Sequence, residues 1–555
     1  MFSTARTCLS DPVRTRERGV RHVRQKRIRR IQARYGKDPG TRYEEEDLRE
    51  IRAYADSRIQ ADPALFALDE ITWADLSMDT VFERICGTDS AAGEQVLYAW
   101  LRCPAMEAAE YGRRRALIRA VEADPDLRLK LQLILSKIGK SRAARTAETF
   151  APGAHGKRRL AAALLLSGGL AAAGLGLMLT PACLPVFVAL LCLNPLYHIA
   201  MVRRLDAHLP AVNSSVALAA AFQRILALGD PGLSACLRPY EAAGRQTHRL
   251  ARMGGVSFTA NHEVMQLLNG LFLFDLILYE WLKVRLYGRR EAVSAIHEAV
   301  GSVDAAIAVA SYRAGAGTVC DPELRFGREE PPRLTAVDLV HPLLRRPVGN
   351  TLELDGPLLL TGSNASGKST LLKAAVLAAV MAQGICTAPC SAYSATAFRL
   401  YTSMAVSDEL LSGDSYFVTE LKAFRRILEA AGRGERVLCA VDEVLRGTNT
   451  VERIAASSVL LEALAGSGAL CLAATHDGEL CTLLEASYTL AHFEETLTQD
   501  GMVFDYRLRP GAAHTRNAIR LLTILGFDPG LSGRAKARAD EYGRTGQWRD
   551  VPEDS

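Results

Sequence analysis

No Asp, Glu, Lys or Arg interrupts the sequence between Leu160 and Val202, no two of the twelve cysteines form a CxxC pair, and no apolar stretch follows the first methionine. The missing CxxC spacing argues against a zinc module. The closest cysteine pairs are Cys386 with Cys390 and Cys183 with Cys192. Others sit in apolar runs, Cys439 in VLCAV and Cys471 in LCLAA, the pattern of buried free thiols in a reducing compartment. Without an apolar h-region the N-terminus does not read as a secretory signal. Charge is also unevenly spread. Residues 1–40 hold twelve Lys/Arg and three Asp/Glu, a net of +9, while the whole 555-residue chain is only +5. The body of the chain is therefore slightly acidic and offers no broad basic surface to a polyanion.

The length allows two or three domains with substantial cores, and the pattern divides the chain into six stretches. Residues 1–42 are a basic N-terminal arm, in which RERGVRHVRQKRIRRIQARY reads as a helix with Val20, Val23, Ile28, Ile31 and Tyr35 on a loose stripe. Anionic lipid headgroups, nucleic-acid phosphates and plain solvent are its three candidate surroundings. Residues 43–150 and 205–312 have apolar spacing near 3.6 with sparse Gly and Pro, and are expected to form a helical core. Between them, residues 157–204 contain the uncharged run, about twice the roughly 20 residues that cross a bilayer as a helix. A break at Thr180-Pro181 predicts a hairpin, Leu160–Leu179 out and Ala182–Met201 back. Lys157, Arg158 and Arg159 precede it and Arg203 and Arg204 follow, so both ends are expected on the cytoplasmic side of the cytoplasmic membrane. VMQLLNGLFLFDLILYEWL, Val264 to Leu282, is nearly as apolar, but Asp275 and Glu280 favour a core helix. Residues 313–500 alternate short β-like runs (TLEL, PLLLT, RVLCAVDE, ALCLAATH) with helices, which predicts an α/β domain with a largely parallel sheet. Residues 501–555 close the chain with a strand and a helical segment.

The chemistry concentrates in that α/β domain. Gly362-Ser363-Asn364-Ala365-Ser366-Gly367-Lys368-Ser369 fits GxxxxGK[ST], follows an apolar strand and opens a helix. Such a P-loop closes backbone N–H groups around phosphate oxygens at a helix N-terminus. Lys368 is then expected to reach the β/γ-phosphates of ATP, and the Ser369 hydroxyl to ligate Mg2+. VLCAVDE sets Asp442 on the Mg2+ side and Glu443 as general base toward an attacking water. One strand later ALCLAATH ends in His476, placed to sense the γ-phosphate. Between these, SGDSYFVTEL reads as a helix start, either a plain cap at Ser412 or Asp414 or a phosphate-binding terminus serving a partner subunit.

The motifs TGSNASGKST, SGDSYFVTEL, VDEVLRGTNT and AATHDGEL, in this order and at these spacings, closely resemble the ATPase domain of the MutS mismatch-repair family. The likeness covers about residues 300–540. It implies an ABC/MutS-type P-loop NTPase fold and a homodimer with two composite ATP sites. It also implies phosphate and Mg2+ contacts from Asn364, Gly367, Lys368, Ser369 and Thr370, with Ser415 as the signature serine reaching the opposite nucleotide. Asp442, Glu443 and His476 take the metal, base and switch positions, and Arg446, Gly447 and Thr448 shape the loop facing the other subunit. The chain departs from the repair proteins in several ways. No Phe-x-Glu wedge domain is recognised, its helical segments are shorter and interrupted by the apolar hairpin, TAPCSAYSA lacks the Gln often found there, and Tyr416 stands where the signature carries Thr. The expectation is thus an all-α core interrupted by a transmembrane hairpin and followed by a MutS-like ATPase domain. Its partners would be membrane lipid, a second copy of the chain and, as a further candidate, double-stranded DNA. A soluble DNA repair or recombination factor with the hairpin buried in its core, and an ABC-transporter-like ATPase, are the alternatives.

Overall fold

The computed structural model describes residues 25–140, 156–251, 263–327, 329–363, 366–404, 416–445, 448–498, 501–513, 519, 522, 524 and 526–548. Two compact units divide them. One comprises residues up to Ala67 with Phe82–Cys103 and Ala109–Gly317, the other Leu68–Val81, Pro104–Ala108 and Thr318 onward.

The first unit is helical. At its centre, Ala91–Arg102 is buried on every side, as a helix packed all round must be. Its neighbour Arg290–Gly315 crosses it so closely that a Cβ on Gly301 would lie 2.6 Å from the Ala92 carbonyl oxygen; only glycine fits there. Two buried carboxylates inside this core are well partnered. Asp304, fully buried, accepts from the backbone N–H groups of Asp89 (3.0 Å) and Ser90 (2.7 Å). Glu94 accepts from the Tyr43 hydroxyl at 2.7 Å and pairs with Lys140 at 3.0 Å.

The uncharged run folds into two helical limbs, Gly156–Leu177 outbound and Leu184–Leu226 returning, joined through a short 3-10 turn at Pro181–Cys183. Small residues of the first limb let the second approach: Gly169 faces Leu190 and Gly174 faces Phe187. The return limb is one 43-residue helix, so it runs unbroken from the turn into the helical unit. Outside this close seam and the patch around Ala163 and Tyr197, most of the hairpin is exposed. Only 17% of the most apolar stretch of Lys157–Leu177 and 6% of that of Pro181–Met201 are buried, against 78% for Arg290–Gly315. Leu165, Met178, Leu179, Leu196 and Ile199 are all exposed. The stretch from Val264 to Leu282 is two helices, Glu263–Phe272 and Phe274–Tyr287, broken at Leu273, which takes a left-handed conformation. The second packs on the hairpin base through Leu273, Leu276 and Tyr279 against Ala163, Leu166 and Tyr197.

The second unit is α/β. Its main sheet has six strands in the order β10-β9-β4-β8-β7-β6: β4 (Leu358–Thr361), β6 (Arg399–Ser403), β7 (Val437–Asp442), β8 (Leu470–Ala474), β9 (Thr489–Thr498) and β10 (Gly501–Pro510). Every pair is parallel except β9 with β10. A smaller mixed sheet runs in the order β1-β5-β2-β3: β1 (Glu323–Arg325), β2 (Leu334–Leu339), β3 (Asn350–Leu354) and β5 (Ala392–Thr396). Along β7, Val437, Cys439 and Val441 pack under Phe424, Ile427, Leu461 and Leu464 of the helices Tyr416–Gly432 and Thr450–Gly466. The alternate residues Leu438 and Ala440, equally buried, face the other layer, because strand side chains alternate between faces. The helix Lys368–Ile385 fills that layer. The exposed edge of β6 is covered by Leu68–Val81. Thr402 donates its N–H to the Thr72 hydroxyl (3.1 Å), and Asp75 accepts from the Thr402 hydroxyl (2.6 Å) and the Met404 N–H (3.1 Å). The Arg426 guanidinium clamps the Asp69 carboxylate and the Thr402 carbonyl. Covering an unpaired edge in this way removes a site of strand-to-strand association.

Candidate functional site

The site forms where the strands of a parallel sheet end and the chain turns back, the usual place for a ligand in an α/β fold. Strand β4 is buried at every residue and lies between β9 and β8. It delivers the chain to Gly362, at φ 138°, and the loop closes at Gly367, at φ 110°, before the helix begins at Lys368. Both values belong to glycine. A Cβ on Gly362 would also stand 2.8 Å from the Phe493 carbonyl oxygen. Lys368 is buried and folds back on the loop, its Nζ donating to the carbonyls of Gly362 (2.8 Å) and Ser363 (2.9 Å). The Ser363 hydroxyl donates to Glu495 of β9 at 3.0 Å. Ser366 is buried and its hydroxyl oxygen has no hydrogen-bond partner among the described residues. Asn364 and Ala365 lie outside the described residues.

Neighbouring strand ends bring the carboxylates in. Asp442 ends β7 opposite Ala474 of β8, and the Glu443 N–H donates to the Ala474 carbonyl at 2.9 Å. Thr475 continues the pattern, donating its N–H to Leu360 of β4 at 3.0 Å. Glu443 itself takes φ 53°, an uncommon conformation for a residue with a side chain,. Such outliers cluster where a site needs a side chain aimed. His476 stands with Nδ1 3.3 Å from the Glu443 carboxylate. Its neighbour Asp477 is held by Arg453 through two hydrogen bonds, 3.0 and 2.7 Å. One carboxylate oxygen of Asp442 is buried without a hydrogen-bond partner among the described residues. Asp75, from the segment covering β6, has its carboxyl raised by burial first, with the charge of Asp442 adding to it and hydrogen bonds from Thr402 and Met404 opposing.

Lys368, Ser369, Thr370 and Glu443 line one cavity of about 710 Å³, large enough for a nucleotide-sized ligand. Its far wall comes from residues the motifs did not single out: His341, Arg346, Pro347, Val348, Asn350 and Tyr506. Burial and then Lys373 lower His341 to about 4, and its Nδ1 accepts from the Leu343 N–H at 3.3 Å, so it lines the wall as a neutral imidazole. Tyr506 sits at a bulge between Phe504 and Leu508. Asn350 grips that bulge from both sides, donating to the Tyr506 carbonyl (2.9 Å) and accepting from the Leu508 N–H (2.8 Å). The Tyr506 ring thereby lies over Gly367, where a Cβ would approach it at 3.3 Å. Asn350 at the start of β3 and a Tyr in the alternating FDYRLRP run were the available signals. No spacing rule ties the two to each other across 156 residues.

Among the described residues no three His, Cys, Asp or Glu side chains converge on a metal position. The donors present are the free Asp442 oxygen and the Ser369 hydroxyl, a set that suits Mg2+ completed by phosphates and water. The signature serine Ser415, with Arg446 and Gly447, lies outside the described residues. Thr448 is described, with its hydroxyl 3.2 Å from Glu452 at the start of the helix that Asn449 caps.

Residues 358–541 match the family model of MutS domain V. The DNA mismatch repair protein MutS of Natronomonas pharaonis is 34% identical over 206 residues, 35% of this chain and 24% of that protein. The MutS of Streptococcus sanguinis is 35% identical over 183 residues, 32% of this chain and 21% of its own length. That of Chloroflexus aurantiacus is 30% identical over 250 residues, 43% and 26%. The chain therefore spans about a quarter of the length of the curated relatives it matches.

Proposed function

We propose, from the premise that this chain belongs to the MutS family through residues 358–541, that it is an ATP hydrolase working as a homodimer and held to the membrane by its apolar hairpin. The observation that carries the enzymatic part is the meeting of Lys368, Ser369 and Glu443 in one nucleotide-sized cavity, beside the unpartnered oxygen of Asp442. Lys368 would exchange the carbonyls of Gly362 and Ser363 for the β- and γ-phosphate oxygens. The loop N–H groups and the helix N-terminus would take the remaining charge. A water attacks the γ-phosphorus, Glu443 accepts its proton, and the bond to the β-phosphate oxygen breaks, releasing ADP and phosphate. His476, beside Glu443 and steadied through the Arg453–Asp477 pair, orients that carboxylate and reads the γ-phosphate. Ser369 and Asp442 would hold Mg2+, whose chemistry is to neutralise the phosphate charge that develops in the transition state.

The bare hairpin supports the membrane reading. A buried hairpin, as in a soluble repair factor, would not leave so many large apolar side chains open. The composite site rests on the family resemblance, with Ser415 reaching the partner's nucleotide. Double-stranded DNA remains a proposed partner of the helical unit and basic arm. Replacement of Glu443 by Gln tests the enzymatic core. The variant should keep ATP bound while turnover falls by about 10²–10⁴-fold, the usual worth of a general base. Hydrolysis at the wild-type rate would remove Glu443 from the mechanism.

A further inference from the structure

Three links set the depth of the helix Phe274–Tyr287 against the hairpin. The Asn194 side-chain amide, on the return limb, donates to the carbonyls of Leu166 (3.3 Å) and Leu271 (2.7 Å), joining both limbs to the break before Phe274. His198 pairs with Asp275 at 2.8 Å. Arg159, the last charge before the apolar run, lies 4.0 Å from Glu280. At 1.5 Å per residue, Asp275 to Glu280 rises roughly 7–8 Å. The helix therefore climbs from the apolar body of the hairpin to its charged base, and Glu280 marks the boundary.

Past that boundary the sequence changes character. Lys283, Arg285, Arg289 and Arg290 follow within ten residues, and Lys157 and Arg158 stand exposed at the first limb's base. Among the described residues none of the six makes an ion pair. Aromatic rings are interleaved with them: Arg285 lies over Trp281 at 4.9 Å, Lys283 over Tyr279 at 5.8 Å and Arg290 over Tyr287 at 5.9 Å. Tyr and Trp interleaved with Lys and Arg are the composition of a membrane–water interface. The headgroup layer is roughly 5–8 Å deep on each side of the hydrocarbon. Lys283 and Arg285, three and five residues beyond Glu280, fall within that depth.

We propose that this collar at the hairpin base, centred on Lys283, Arg285, Arg289 and Arg290, is a binding site for anionic phospholipid headgroups. It rests on the membrane reading above and adds a lipid specificity that a plain apolar anchor lacks. The hairpin supplies insertion. The collar supplies the preference, each engaged cation favouring an anionic surface by roughly fivefold.

The test uses the full chain purified in a neutral detergent with a mixture of phosphatidylcholine and phosphatidylglycerol, the retained lipid being quantified by mass spectrometry. The wild type should retain phosphatidylglycerol severalfold above its mixing ratio. The variant carrying Lys283→Gln, Arg285→Gln, Arg289→Gln and Arg290→Gln should fall to that ratio while retaining phosphatidylcholine unchanged. A measurement that needs no variant of the collar is quenching of Trp281 emission, defined by its loss in Trp281→Phe. Brominated phosphatidylglycerol should quench it more strongly than brominated phosphatidylcholine. Equal retention and equal quenching in a chain that only detergent extracts would overturn the collar and leave the anchor standing. A chain that stays in solution without detergent and carries no lipid would remove both. A quadruple variant that loses duplex-DNA binding yet keeps its phosphatidylglycerol would reassign the patch to nucleic acid and overturn the proposal.

Discussion

Replacement of Asn350 by Ala isolates the wall of the cavity from the floor proposed to carry the chemistry. Among the described residues Asn350 makes no hydrogen bond to the glycine-rich loop; two hydrogen bonds to β10 hold the bulge that sets Tyr506 over Gly367. Two ordinary hydrogen bonds are worth about 1–3 kcal/mol together. The full amount will not be expressed, because Tyr506 is 44% exposed and water can take up the freed carbonyl and N–H. Half of it, about 0.5–1.5 kcal/mol, corresponds to a roughly 2- to 12-fold loss of nucleotide affinity. Equilibrium titration with a fluorescent ATP analogue reads this directly, and Tyr506→Ala should give a loss of similar size. The two together should cost little more than either, since both act through one ring position. Turnover at saturating ATP should stay within a few-fold of wild type, because Lys368, Glu443 and His476 are untouched. Affinity unchanged in both single variants would refute the reading that this wall contacts the nucleotide. Lost turnover with unchanged affinity would mean that the bulge positions the catalytic groups instead.

Two further outcomes concern the helical unit. Burial, with the nearby Asp89 carboxylate second, pushes Asp304 up to about 7, whereas an unfolded chain holds such a group near 3.9. The folded state thus binds the proton more tightly. The stabilisation is complete below about pH 4 and is lost as pH rises through about 7, a change of the order of 1–4 kcal/mol. Urea unfolding of the wild type should show that decline between pH 5 and pH 8, and Asp304→Asn should flatten it; a wild type equally stable at both ends would refute the assignment. Gly301→Ala places a methyl 2.5 Å from Val96 and 2.6 Å from the Ala92 carbonyl, and should cost about 1–3 kcal/mol by overpacking. A thermal midpoint equal to wild type would show that the two helices separate more easily than their packing implies.

The site was legible where chemistry is local in sequence. The glycine-rich loop, the paired acids after an apolar strand and the strand-end histidine each announce themselves by adjacent residues, and the sheet does the rest. Parallel strands β4, β7 and β8 end at the same edge, so Lys368, Glu443 and His476, far apart along the chain, reach one neighbourhood through strand register alone. What the sequence did not disclose depends on partners that no spacing rule links. Leu68–Val81, read as part of a continuous helical segment, covers the edge of β6 through Thr72 and Asp75. Polar groups that cap a strand leave the same trace as a helix N-cap, and Asp69 serves both roles, accepting from the Thr72 N–H and gripping Arg426. The stretch from Val264 to Leu282 shows the same limit from the other side. Its two acids argue for a core helix, and each finds a partner on the hairpin, Asp275 with His198 and Glu280 with Arg159. A carboxylate counts against an apolar environment only until its partner is known. Here both partners lie on the uncharged hairpin or at its mouth, so the two acids are the groups that register this core helix against the hairpin.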